Sequence, residues 1–278
     1  MEAKIDTHAM GILSTGLSGL LSLSGRTALV TGGSRGLGQA IARRFLEAGA
    51  SVIIVARRPD VLEATRFELA SLAEGRISAH ACDVGDRDQV ESLCSRLRHD
   101  GVEIDILVNN AGSSSTGRFE EVTDERWQAD FDLKVFAAIR LSRFVLPGMK
   151  ARRWGRILNV VSIVGKTPGP QSAPTSVSRA AGIAMSKVLA AEFAPFGVLV
   201  NSLCTGRVLS DQLEKRWKAK GGGMPFKEFA AEQSKAIPMG RLGTAEEFAN
   251  VALCLASDAG SYVTGAAINI DGGLCQVV

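Results

Sequence analysis

The sequence predicts an α/β fold: a single doubly wound parallel sheet flanked by helices on both faces. Three observations carry this. Short β-branched runs alternate with longer stretches of helical period from Arg26 onward. The runs are apolar at successive positions, as strands covered on both sides must be. A glycine-rich turn joins the first run to the first helical stretch.

Taken in order, residues 1–24 precede the pattern and read as a flexible N-terminal extension, with 25–278 as one domain. The apolar stretch 11–23 is too short to span a bilayer. Mixed charges before it and no small-x-small site after it argue against a secretory signal. The strand candidates are "TALVTGG", "SVIIVAR", "RISAHACDV", "DILVNNAG", "GRILNVVS", "VLVNSL" and "GAAINIDGG". Helix candidates lie at 37–48, 89–99, 125–149, 176–193 and 245–256. Residues 207–238, with Gly221, Gly222 and Gly223, read as an irregular, mobile flap at the strand ends; a plain surface excursion is the competing reading.

Composition excludes several classes. At 46% hydrophobic residues the chain can bury a large core, and its net charge of +3 comes from scattered basic residues, so no nucleic-acid footprint is expected. The stretch "ARRWGR", residues 151–156, reads as a solvated loop with a snorkelling Trp154. Cys82, Cys94, Cys204, Cys254 and Cys275 are odd in number and show no Cys-x-x-Cys pair. That fits reduced thiols in a cytoplasmic protein, without a disulfide framework or zinc site. The three histidines have no ligand spacing, so no metal is expected.

In "VTGGSRGLGQA", Gly32, Gly36 and Gly38 stand between strand and helix. A turn without Cβ atoms lets the backbone approach a pyrophosphate at the positive end of the helix. The second run ends in Ala56, Arg57 and Arg58, where an acidic residue would accept from a ribose 2′-hydroxyl. These arginines, with Arg35 in the turn, suit a 2′-phosphate and favour NADP(H) over NAD(H). Asp60 competes, but after Pro59 it reads as a first-turn helix acid. The sheet is therefore expected to be of the Rossmann type.

Further motifs follow: "TGGSRGLG", "CDV", "NNAG", "ILNVVSIVG", "VNSLCTG", "PMGRLGTAEE" and "YVTGAAINIDGG". On these the chain resembles the short-chain dehydrogenase/reductase family, close to its 3-oxoacyl-carrier-protein reductase branch. The resemblance implies a cofactor bed of Gly32, Ser34, Arg35, Gly36, Leu37 and Gly38. Asp83 and Val84 would contact the adenine. Asn110, Ala111 and Gly112 would line the cofactor, and Thr205, Gly206 and Val208 would approach the nicotinamide amide. Thr205 stands where the family has proline. It also implies a small-molecule substrate, an acyl thioester or ketone, and a homotetramer or homodimer, with no nucleic-acid or membrane partner.

The family works with Asn, Ser, Tyr and Lys. Position by position, Ser162 is retained, Tyr becomes Thr175, Lys becomes Arg179 and Asn becomes Lys134. No slip in register restores the phenol, because the one tyrosine, Tyr262, belongs to "YVTG". Arg179 keeps a cation for the cofactor ribose. Thr175 is a far weaker acid than a phenol of pKa about 10 and reads either as a substrate contact or as a helix cap. Lys134 falls beside the apolar stripe Trp127, Phe131, Val135, Ala138 and Val145. There it is either a replacement acid made more acidic by burial, or a structural ion pair or snorkelling lysine. Lys166 and residues 113–116 are further polar candidates. Acid–base help is worth about 10²–10⁴-fold, while positioning contributes about 7–11 kcal/mol, so loss of the tyrosine weakens ordinary carbonyl reduction without forbidding hydride transfer. The resulting expectation is an NADP(H)-dependent oxidoreductase interconverting a carbonyl and an alcohol with non-standard proton transfer. The alternatives are a nucleotide-binding sensor or subunit without turnover, and a non-redox lyase or dehalogenase on the same fold.

Overall fold

A computed structural model describes residues 16–220 and 222–277; residues 1–15, most of the expected extension, lie outside them. Among the described residues nine strands form. They are β1 Thr27–Thr31, β2 Ser51–Ala56, β3 Ile77–Ala81, β4 Ile106–Asn109, β5 Thr116–Gly117, β6 Gly155–Ser162, β7 Ala173–Pro174, β8 Val198–Thr205 and β9 Ala267–Ile270. The helices of two turns or more are α1 Gly36–Glu47, α2 Pro59–Ala70, α3 Arg87–His99, α4 Asp124–Phe131, α5 Ala137–Arg152, α6 Thr175–Phe193, α7 Asp211–Lys220, α8 Phe226–Ser234 and α9 Ala245–Ala256. No helix among the described residues is long and apolar enough to cross a membrane.

Seven strands make one parallel sheet in the order β3-β2-β1-β4-β6-β8-β9. The chain runs outward from β1 to β3 and then returns to place β4 on the other side of β1. This reversal opens a crevice at the carboxyl ends of β1 and β4, where ligands of such sheets bind. Alternation along β1 shows why both faces must be apolar. Ala28 and Val30 pack with Ile41, Phe45, Phe248 and Ala252 of α1 and α9. Leu29 packs with Leu93, Leu97, Leu141 and Met149 of α3 and α5. Burying each such large side chain contributes about 1.5–3 kcal/mol. The rule weakens at the two outer strands: β3 and β9 are only partly buried, because each has a neighbour on one side alone.

Three features depart from the sequence reading. The 125–149 stretch is not one regular helix: α4 and α5 are separated by a π-helical turn, Asp132–Phe136, in which the Ala137 N–H donates to Asp132 O. The expected irregular flap contains α7 and α8, which enclose a small core of Leu213, Phe229, Ile237 and Leu242 with Trp217 and Phe226. Residues 151–156 are not a solvated loop. Arg152 closes α5, and Arg156, second in β6, is 2% exposed and 3.6 Å from Asp258. Trp154 does not snorkel; it is sandwiched between the guanidinium groups of Arg26 (3.7 Å) and Arg156 (4.2 Å). Burial pushes the Arg156 guanidinium down to about 10.

Candidate active site

The nucleotide turn is fixed by the crevice itself. The Thr31 hydroxyl donates to Val108 O (3.2 Å) and accepts from the backbone N–H groups of Asn110 and Ala111, both at 3.0 Å. The Asn110 amide reaches back to Thr31 O (2.9 Å) and Gly32 O (3.2 Å), latching the end of β4 to the turn after β1. Gly32 and Gly36 have φ of +64° and +55°, the left-handed region that favours glycine. At Gly38 a Cβ would stand 2.2 Å from Gly32 O and 2.5 Å from Asn110 Nδ2. Helix α1 therefore begins hard against the turn, and its N-cap residue, Arg35, gives it no side-chain cap. Ser34 O accepts from Thr65 Oγ1 at 2.9 Å, pinning the turn to α2, and Leu37 is half-buried beside it.

Arg57 and Arg58 follow β2 and are exposed. Arg57 lies 3.6 Å from Asp83, so the expected phosphate and adenine contacts adjoin. Val84 is buried below them.

The rebuilt positions converge in a buried cluster at the start of α6. Lys134, with its side chain 1% exposed, donates to Asp130 Oδ1 and, at 2.9 Å, to Thr175 Oγ1. The Thr175 hydroxyl donates to Ser115 O (2.7 Å) and accepts from Ser115 N–H (2.9 Å), holding the short β5–β7 ribbon to α6. Asp130 accepts from the Ser178 hydroxyl through its other oxygen, at 2.6 Å. Arg179 donates to Val160 O (2.8 Å) and lies against Gly112, where a Cβ would stand 2.6 Å from Nη2. Its Nε is buried with no hydrogen-bond partner among the described residues.

Burial and the nearby Arg179 cation push the Lys134 ammonium down to about 8, against the upward pull of Asp130. Burial likewise lowers Arg179, to about 10, with Asp130 opposing.

Ser162 ends β6, the strand whose Val160 carbonyl holds Arg179, and donates to Thr205 O at 3.3 Å. Gly206 permits a close approach to Asp271, where a Cβ would come within 2.4 Å of Asp271 Cβ. Val208 bridges to Gly243, and the Gln212 amide of α7 reaches Gly112 O at 3.5 Å. Lys166 is engaged elsewhere, donating to Ala267 O at 2.7 Å.

The structure thus joins Lys134 to Thr175 directly, with Arg179 beside them. Asp130 and Ser178 are cluster members that sequence reasoning missed, whereas Ser115 falls in the 113–116 stretch it named. A signal was present for both. Asp130 precedes Lys134 by one helical turn, and Ser178 follows Thr175 by three residues.

Set beside known proteins, this combination of fold and site has a clear kinship. The family profile described as Enoyl-(Acyl carrier protein) reductase matches residues 32–275. The chain belongs to the short-chain dehydrogenase/reductase family, a family of oxidoreductases. It is 36% identical over 258 residues to Nodulation protein G of a Rhizobium species, covering 93% of this chain and all of the relative. It is 33% identical to the 3-oxoacyl-[acyl-carrier-protein] reductase of Haemophilus influenzae, over 91% of this chain and 99% of that protein. Among solved structures, L-sorbose reductase from Gluconobacter frateurii, complexed with NADPH and L-sorbose, superposes with a TM-score of 0.89. That match is 34% identical and covers 93% of this chain and 100% of the other.

Proposed function

We propose that the protein is an NADP(H)-dependent oxidoreductase that interconverts a carbonyl and an alcohol, with Lys134 in place of the family's phenol as proton donor. The observation that carries this reading is the buried Lys134, lowered to about 8 and hydrogen-bonded to Thr175 at the tyrosine position. An ammonium of that acidity can give up a proton near neutral pH, whereas an aliphatic hydroxyl cannot.

The residues present fit the cofactor. The Gly32–Gly38 contact leaves no room for a Cβ, and α1 opens without a side-chain cap, which together form a cradle for a pyrophosphate. Arg57 and Arg58 would hold the 2′-phosphate, Asp83 and Val84 the adenine, and Arg179 the ribose. Thr205, Gly206 and Val208 would adjoin the nicotinamide. When bound, the nicotinamide supplies the hydride. Ser162 polarises the substrate carbonyl. Asp130 and Thr175 engage two of the three N–H donors of Lys134. On reduction Lys134 gives one proton to the substrate oxygen, becomes the amine, and regains a proton from water.

Fluorescence titration with NADPH and NADH, followed by absorbance assays on ketones and 3-oxoacyl thioesters, tests this. Expected are tighter binding of NADPH and oxidation of NADPH by at least one carbonyl. Arg57→Ala with Arg58→Ala should weaken NADPH on the order of tenfold to a hundredfold and leave NADH nearly unchanged. Binding of neither nucleotide overturns the reading. NADPH binding without turnover would favour the second reading, a nucleotide-binding subunit or sensor. In its support, the Thr175 hydroxyl is already fully engaged by Ser115 and Lys134.

The same reading takes the protein as a dimer or tetramer. It is supported by the exposed Phe136, Val177 and Val188 on the long helical segments; a monomer in sedimentation equilibrium would overturn it.

A further inference from the structure

The buried carboxylate of Asp130 has no place in the proton transfer just described, yet its two oxygens hold the cluster together. Oδ1 accepts from Lys134 and Oδ2 from the Ser178 hydroxyl, and the carboxylate side chain is 2% exposed. Ser178 also donates to Thr175 O at 3.1 Å, tying the carboxylate's support to the residue that Lys134 touches. We propose that Asp130 is the positioning residue of this site: held by Ser178, it aims the Lys134 ammonium at the Thr175 hydroxyl and keeps it charged between turnovers. This inference rests on the reading of Lys134 as the proton donor.

The charge balance makes the assignment specific. The charged groups facing Lys134 are Asp130, from the preceding helix, and Arg179, from α6. The β5–β7 ribbon contributes the Ser115 backbone and no ionised group to this contact. Without Asp130, two buried cations would face each other with no counter-charge. Lysine would then resolve the conflict by releasing its proton, since arginine holds its own more firmly. The site would enter each cycle with an amine in place of an acid. A buried ion pair is by itself weak evidence of stabilisation, so the carboxylate is better explained by what it does to Lys134.

The test combines two readouts on the full-length protein. The first follows ¹³Cε-labelled lysine by NMR titration, with Lys134 assigned by the resonance missing from Lys134→Met. The wild-type midpoint is expected at about 8. In Asp130→Asn it should fall by about one unit or more, and in Ser178→Ala by less, in the same direction. The second follows kcat for carbonyl reduction against pH. Its alkaline limb should move down with the midpoint, a loss on the order of tenfold at pH 8 for Asp130→Asn. An unmoved lysine midpoint in whichever of the two variants folds overturns the proposal. So does a moved midpoint that the pH–rate limb does not follow, because Asp130 would then act on structure alone. Absence of turnover in the wild type would overturn the oxidoreductase reading, while the lysine titration still judges the hold of Asp130 on Lys134.

Discussion

Thr175 accepts from Lys134 Nζ and Ser115 N–H and donates to Ser115 O, so its hydroxyl stitches three segments together. At 7% exposure it is buried among these partners. Restoring the family residue by Thr175→Tyr should therefore not restore ordinary catalysis. The phenol would displace Lys134 or overpack the ribbon at a cost of about 1–3 kcal/mol. Denaturant unfolding alongside the NADPH assay checks this, and a stable, faster enzyme would refute it. Lys134 carries a pH signature as well. Its folded value of about 8 lies below the ordinary lysine value of about 10.4, so between them the unfolded chain binds more protons. Its burial penalty is complete below that window and fades as pH rises through it. The wild type should thus gain stability relative to Lys134→Met between pH 8 and 10.4, as measured by urea unfolding at several pH values. A constant difference would contradict the assigned shift.

At the scale of elements, the turn between β1 and α1 separates two kinds of glycine. A Cβ at Gly36 meets nothing within 4 Å, so Gly36→Ala carries only the left-handed backbone strain, about 1 kcal/mol. A Cβ at Gly38 meets the Gly32 carbonyl and the Asn110 amide, and the backbone oxygen cannot swing aside. Gly38→Ala should therefore open the Asn110 latch and abolish NADPH binding, whereas Gly36→Ala keeps the fold; fluorescence titration and thermal unfolding distinguish them. Elements of this kind were readable in the sequence because they rest on local rules. Glycine spacing marked the turn, and apolar runs marked the inner strands. The π turn was not readable. The stripe from Trp127 to Val145 keeps helical spacing, and one widened turn leaves no mark on residue type. Asp130 escaped for a related reason: an i, i+4 acid–lysine pair usually marks a solvated face. Only packing of α6 against α4 shows that this one is buried. The residues at 151–156 misled in the opposite direction. Their charge pointed to solvent, while Trp154, Asp258 and neighbouring carbonyls bury Arg156.

Over the whole molecule, the Lys134–Thr175 cluster and the glycine-rich turn lie toward the carboxyl ends of the strands, and the arginine–tryptophan packing lies at their amino ends. The proposed cofactor bed and the Lys134–Thr175 cluster meet at Gly112, which lies against Arg179 and accepts from Gln212 of α7. The flap helices have their own apolar core, secured by the Trp217 indole N–H donating to Met224 O at 2.6 Å. Their connection, by contrast, is exposed at Gly222, Gly223, Met224 and Pro225. A surface loop of small residues between two clamped elements is where a protease cuts without dismantling what it cuts. Brief thermolysin treatment should nick the chain there and leave one particle on a sizing column that parts into two fragments only in denaturant. Such a nicked protein would keep its sheet while segment 207–238 became two separately tethered halves.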